Sequence, residues 1–154
     1  MAKEFSNSKF HGIDITPQAF PEGVKPDNCE FQVANIAEHI PYPDSTFDCI
    51  HQRLLVMGLT HKSWDNTPKE MFRVLKPGGY IELHECHYLV VTDMLKSHQI
   101  PASIALGLDD RVSNAGFDVE RIIITPMPIN HKGKAGELLW QALKFCVDTR
   151  LLIH

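Results

Sequence analysis

The sequence has no surplus of basic residues: 15 Lys and Arg stand against 19 Asp and Glu, a formal net charge of −4. It therefore lacks the electrostatic footprint from which binding to a nucleic-acid backbone would be argued. No run approaches the roughly 20 consecutive apolar residues that span a bilayer, so no membrane role is expected. The first ten residues, MAKEFSNSKF, lack the basic-then-apolar form of a secretory signal. Cysteine is scarce and scattered at Cys29, Cys49, Cys86 and Cys146, with no C-x-x-C pair. That spacing excludes a small disulfide framework and predicts reduced, mostly buried thiols in an intracellular protein, cytoplasmic or nuclear. Internal repeats, low-complexity runs and linkers are also missing. A chain of 154 residues, 44% of them apolar, is expected to form one domain over residues 1–154.

What is present alternates between two periods. Short β-type runs fall at Phe10–Ile15, Cys29–Val33, Phe47–Gln52, Tyr80–Cys86 and Val119–Thr125, each bounded by Pro, Gly, Asn or Asp. Between them, Thr67-Pro68-Lys69-Glu70 has the form of a capping box with proline at the first helical position. Met71, Val74 and Leu75 then share a face, and Lys76-Pro77-Gly78-Gly79 stops the helix. Further helices are expected over Ala102–Ala115, closed by Gly116, and over Ala135–Leu152. Strands alternating with helices predict an α/β fold with a mainly parallel, helix-covered sheet.

Such sheets bind ligands beyond the carboxyl ends of their strands, so the residues at strand exits matter most. In FHGIDITP, residues 10–17, Asp14 sits where the strand runs out. Its two oxygens suit a vicinal diol, and they equally suit a turn in which Asp14 caps Thr16. Asn35 follows the run CEFQV and offers a donor and an acceptor to a purine edge, with Ile36 as an apolar neighbour; a plain turn residue is the alternative. In IHQR, residues 50–53, His51 titrates near neutrality and Arg53 suits a carboxylate, although surface exposure explains both equally well.

HECH, residues 84–87, invites a metal reading that strand geometry opposes. Alternation sends His84 and Cys86 to one face and Glu85 and His87 to the other, so a tetrahedral site would need distant ligands. No metal is expected from this stretch alone. Glu85, near a strand exit, suits a substrate-facing acid better than a metal ligand, and a simple exposed or paired carboxylate is the favoured reading over both.

In order, these pieces resemble the class I S-adenosylmethionine-dependent methyltransferases. HGIDITP is similar to that family's second strand, and CEFQVANIAEHIPYPDSTFDCIHQR to its third strand, adenine loop and fourth strand. MFRVLKPGGYIELHE resembles the segment entering the fifth strand in the methyltransferase type 11 group, and AGFDVERI the approach to the sixth. The IHQR…LKPGGYIELHE wording is most similar to fungal methyltransferases associated with secondary-metabolism regulation. The resemblance covers most of residues 2–125 and implies S-adenosyl-L-methionine as cofactor. By that resemblance Asp14 holds the ribose hydroxyls, Ile15 and Ile36 flank the adenine, and Asn35 meets its amino group where the family usually has Asp. His51 and Gln52 would lie beside the methionine moiety. The family has no universal catalytic base, and no catalytic residue is assigned.

The resemblance also implies an abbreviated Rossmann-like, doubly wound sheet, truncated at the N-terminus. The first strand and its glycine-rich loop have no counterpart before residue 10, and the last strand has none later. In the family the first strand lies between the second and fourth, so its loss is expected to leave two ladders unpaired. Three readings stay open: methyl transfer to an unidentified acceptor, a non-catalytic module whose open sheet edges hold a protein partner or a second copy, or an inactive fragment.

Overall fold

The protein is described by a computed structural model over residues 2–56, 58–86, 104–124, 133, 134 and 137. It divides into two compact units, Met1–Glu120 and Arg121–His154, and the elements below belong to the first. Four strands carry the architecture: β1 (Phe10–Asp14), β2 (Cys29–Val33), β3 (Phe47–Arg53) and β4 (Leu75–His84). Helix α1 (His61–Val74) connects β3 to β4, and α2 (Leu108–Asn114) follows a 3-10 turn at Ile104–Gly107.

Both ladders are parallel, and among the described residues they form two separate two-stranded sheets rather than one. β1 pairs with β2 in the register Phe10↔Cys29 to Asp14↔Val33, and β3 pairs with β4 from Phe47↔Leu75 to Arg53↔His84. The break falls between β1 and β3, which is where the resemblance places the strand that residues 1–10 do not supply. Side chains close that seam instead. The His11 ring lies against Tyr42 and Phe47, with centroids 5.4 and 5.6 Å away and edge-on geometry. Aromatic edges meeting faces hold two strands together, but they leave the backbone donors and acceptors of the facing edges without a ladder.

The core sits under one face of the strands. Ile40, Met71 and Val74 are buried, and Ile13, Ile36, Tyr42, Phe47, Ile50, Ile81, Leu83 and Phe117 pack on them. Met71 and Val74 lie three apart on α1, so one helical stripe meets alternate residues from the strands.

Helix α1 corrects the expected start at Thr67. Its N-cap is Thr60, whose hydroxyl accepts from Ser63 N at 3.2 Å, and Pro68 lies inside the helix. Thr67 and Pro68 are both buried, beside a Trp64 that is 1% exposed. The capping-box reading failed because S/T-P-x-E is a local signature, whereas burial of Trp64, Thr67 and Pro68 is tertiary and outweighs the missing Pro68 N–H. The expected stop is present in part: Leu75 is the C-cap, but Lys76–Gly79 runs on into β4. The register shifts between Phe47 and Cys49 at that point. Gly78 takes φ +79°, and a Cβ on Gly79 would lie 2.8 Å from the Asp48 carbonyl oxygen, so the glycines serve a bulge.

Over 104–115 the helix expected for Ala102–Ala115 is a 3-10 turn leading into α2, followed by Gly116 at φ +110°, while 102 and 103 lie outside the described residues. The run expected at Val119–Thr125 is not a strand over 119–124, and Thr125 lies outside the described residues. The helix expected over Ala135–Leu152 lies almost wholly outside them as well.

Candidate functional site

The tips of β1 and β2 lie side by side. Asp14 pairs in register with Val33, and Ala34 N donates to the Asp14 carbonyl oxygen at 3.0 Å. Asn35 is therefore the next residue along at the same carboxyl end. Two strand exits that parallel pairing forces together form the rim on which such sheets place ligands.

Each rim residue also has a local job. Asp14 Oδ1 accepts from Thr16 N at 3.0 Å, closing a tight Asx turn at Pro17. Its second oxygen has no protein partner among the described residues. Asn35 Oδ1 accepts from Ala37 N at 3.1 Å, and its Nδ2 donates to Glu38 Oε1 at 2.9 Å. The amide oxygen keeps one lone pair free. Ile15 is 68% exposed beside Asp14, an apolar surface available to a ring. Ile36 is half-buried and turned into the core against Ile40, Met71 and Val74.

His51 and Gln52 are consecutive on β3, and alternation sends them to opposite faces. His51 is exposed, with Nδ1 3.0 Å from Glu82 Oε2. Gln52 is buried, and its Nε2 donates to Glu85 Oε1 at 3.0 Å. The two side chains therefore present different surfaces, one exposed and one buried. The outer face of β3–β4 continues to His84, whose Nε2 is 2.9 Å from Glu82 Oε1. Hydrogen bonds from His84 and then His51 hold the Glu82 carboxyl below the usual carboxylate range.

Two groups organise the neighbourhood: Glu85, which the sequence offered as a substrate-facing or simply paired acid and which is paired, and the Arg73–Glu70 pair, whose contacts sequence reasoning did not read. Glu85 accepts from Leu55 N at 3.0 Å and Val56 N at 2.9 Å as well as from Gln52, so its carboxylate clamps the chain leaving β3. Just before that clamp, Leu54 sits at φ +56°, a left-handed conformation that a branched side chain adopts only under constraint. Arg73 and Glu70 on α1 hold the segment from His39 to Asp44 that follows the Asn35 turn. A separate open cavity of about 380 Å³ lies between α1 and α2, lined by His61, Asp65, Ile104, Gly107, Asp110, Arg111 and Asn114. None of the strand-tip residues borders it.

Residues 1–79 match the family model described as "Methyltransferase domain". Among curated proteins the chain is 36% identical over 87 residues to the N-methyltransferase sirN of Leptosphaeria maculans, covering 54% of this chain and 30% of that protein. It is 38% identical over 71 residues to the ubiquinone/menaquinone biosynthesis C-methyltransferase UbiE of Escherichia coli, covering 46% of this chain and 27% of that protein. The chain thus spans less than a third of the length of these relatives. The two match at nearly equal identity, so identity does not separate the finer resemblance to secondary-metabolism regulators from the general one. Among solved structures it is similar to a chain in the complex between the Haloferax volcanii Trm112 methyltransferase activator and a protein described as a methyltransferase. The TM-score is 0.54 at 18% identity, over 74% of this chain and 54% of that one, a likeness of fold.

Proposed function

The chain belongs to the methyltransferase domain family, and on that premise we propose that its β1–β2 rim binds the nucleoside of S-adenosyl-L-methionine for methyl transfer. The observation that carries this reading is the adjacency of Asp14 and Asn35 at one end of a parallel ladder. Asp14 takes a ribose hydroxyl on its unpartnered oxygen, and Ile15 lies against the base. Asn35 meets the adenine amino group with its spare lone pair, so the turn at Ala37 survives binding. The fit is to the nucleoside half. Residues 1–9 contain no glycine and so do not themselves supply a G-x-G turn for the methionine carboxylate.

When bound, the cofactor supplies an electrophilic methyl on a sulfonium sulfur. An acceptor lone pair would take that methyl as the sulfur keeps the bonding electrons, and the acceptor would release a proton. Chemistry of this kind asks the protein chiefly to position reactants and exclude water. No residue is assigned as base.

Calorimetric titration with S-adenosylmethionine and S-adenosylhomocysteine is the test. Both ligands are expected to bind, and Asp14→Ala is expected to weaken each by about tenfold or more, since a charge-assisted hydrogen bond to ribose is lost. Absence of heat at high micromolar ligand would overturn the reading for this chain.

A second reading rests on the edges of β1 and β3, which have no ladder partner among the described residues. Open edges accept a strand from another chain, so a protein partner or a second copy fits along such an edge. Light scattering on the purified chain is expected to report self-association if a second copy fills it; a monodisperse monomer weighs against that.

A further inference from the structure

The outer face of β3–β4 gathers three metal-ligating side chains that the nucleoside reading does not use together. Parallel register sets His51 directly opposite Glu82, and His84 lies two residues beyond Glu82 on the same face. The two carboxylate oxygens each reach one ring, His51 Nδ1 at 3.0 Å and His84 Nε2 at 2.9 Å. One ligand atom from each of the three residues lies within 4.8 Å of the others, and the two imidazole centroids are 5.2 Å apart. All three side chains are solvent-exposed, so an ion reaches them without opening the fold.

We propose that His51, Glu82 and His84 form a binding site for a divalent transition metal of the zinc class. Two imidazoles and one carboxylate are a borderline-soft nitrogen-rich set, which favours Zn²⁺, Co²⁺, Ni²⁺ or Cu²⁺ over Mg²⁺ and Ca²⁺. Three protein ligands leave a fourth tetrahedral position for water. The backbone supports the set, because all three residues sit within hydrogen-bonded ladder rungs rather than on a loop. Alternation, which splits the local HECH stretch between faces, is the same rule that brings His84 and Glu82 together. The distant ligand that HECH alone could not supply is His51, 31 residues before Glu82. A bound ion would link β3 to β4 across their exposed face.

The test uses the whole chain, with Zn²⁺ in calorimetry and Co²⁺ in visible absorption, and does not depend on cofactor binding or turnover. Wild type is expected to bind one Zn²⁺ with micromolar affinity or better, and to give Co²⁺ a d–d band of low-symmetry coordination. His51→Ala, His84→Ala and Glu82→Gln are each expected to weaken Zn²⁺ binding by about tenfold or more, while His61→Ala, outside the cluster, leaves it unchanged. His84→Gln serves as a second variant that keeps polarity on the strand. No binding up to about 100 µM Zn²⁺ would overturn the proposal. So would undiminished affinity in the His51→Ala/His84→Ala double variant, which would assign the ion to other histidines.

Discussion

Arg73→Ala lowers the stability of the fold by about 3 kcal/mol, read as a fall in the urea midpoint at unchanged slope. The guanidinium makes five hydrogen bonds. Nε and NH2 reach the two oxygens of Glu70 at 2.9 and 2.8 Å, NH1 reaches Tyr42 O and Asp44 Oδ1 at 2.9 and 2.8 Å, and NH2 also reaches Ile40 O at 2.9 Å. Glu70 in turn accepts from Ile40 N at 3.1 Å and lies 2.7 Å from His39 Nδ1. Truncation strands two carbonyls and a carboxylate next to a buried Ile40, and each unsatisfied group costs about 1–3 kcal/mol before relaxation. Partial exposure of both side chains keeps the total near the lower end. Arg73→Lys recovers less than half, because an ammonium cannot reproduce a planar fork that serves four partners.

The same pair sets the acid limit. Hydrogen bonds from Arg73 first, and from Ile40 N and the charge of His39 after it, hold Glu70 at about 2 against an ordinary 4.5. A carboxyl with a depressed folded pKa takes its proton more readily when unfolded. Its contribution is therefore complete above about pH 4.5 and is lost as pH falls toward 2. That contribution is of order 2 kcal/mol after allowance for solvent screening. In Arg73→Ala the loss of stability over that window should flatten. An unchanged acid limb would mean that Glu70 is not the group responsible.

Neither the Arg73 network nor its consequence was legible in the sequence, and the reason is physical. Capping, alternation and turn chemistry act over a few residues, so Cys29–Val33 was read to the residue and Phe10–Asp14 to within one. Arg73 meets Ile40 and Tyr42 across 33 and 31 residues, which no local period encodes. The start of α1 was misplaced for the same reason: Thr67 and Pro68 carry a start signal, but Trp64 buried one turn earlier decides the register. At the rim, Asp14 could be placed at a strand exit, and its nearness to Asn35, two residues past its register partner Val33, follows from parallel pairing. The inward turn of Ile36 and the opposite facing of His51 and Gln52 depend on which face α1 covers.

Glu85→Gln should cost nearly as much as Glu85→Ala, about 3 kcal/mol in each case, and that near-equality is the telling result. Glu85 faces three donors: Gln52 Nε2, Leu55 N and Val56 N. Oε1 takes the first two and Oε2 the third, so both oxygens must be acceptors. An amide of the same shape keeps one acceptor and presents its NH2 to a backbone N–H, which leaves that donor unpaired beside a Val56 that is 1% exposed. The clamp also holds Leu54 in its left-handed conformation, so its removal lets the exit of β3 relax. Hydrogen exchange at the Leu55 and Val56 amides is expected to accelerate in both variants, while amides in the β1–β2 ladder keep their protection relative to global stability. Had Glu85 been a free acid facing a substrate, the isosteric Gln variant would be as stable as the parent and would differ only in activity. A Gln variant with parental stability would therefore return Glu85 to the site and remove it from the scaffold.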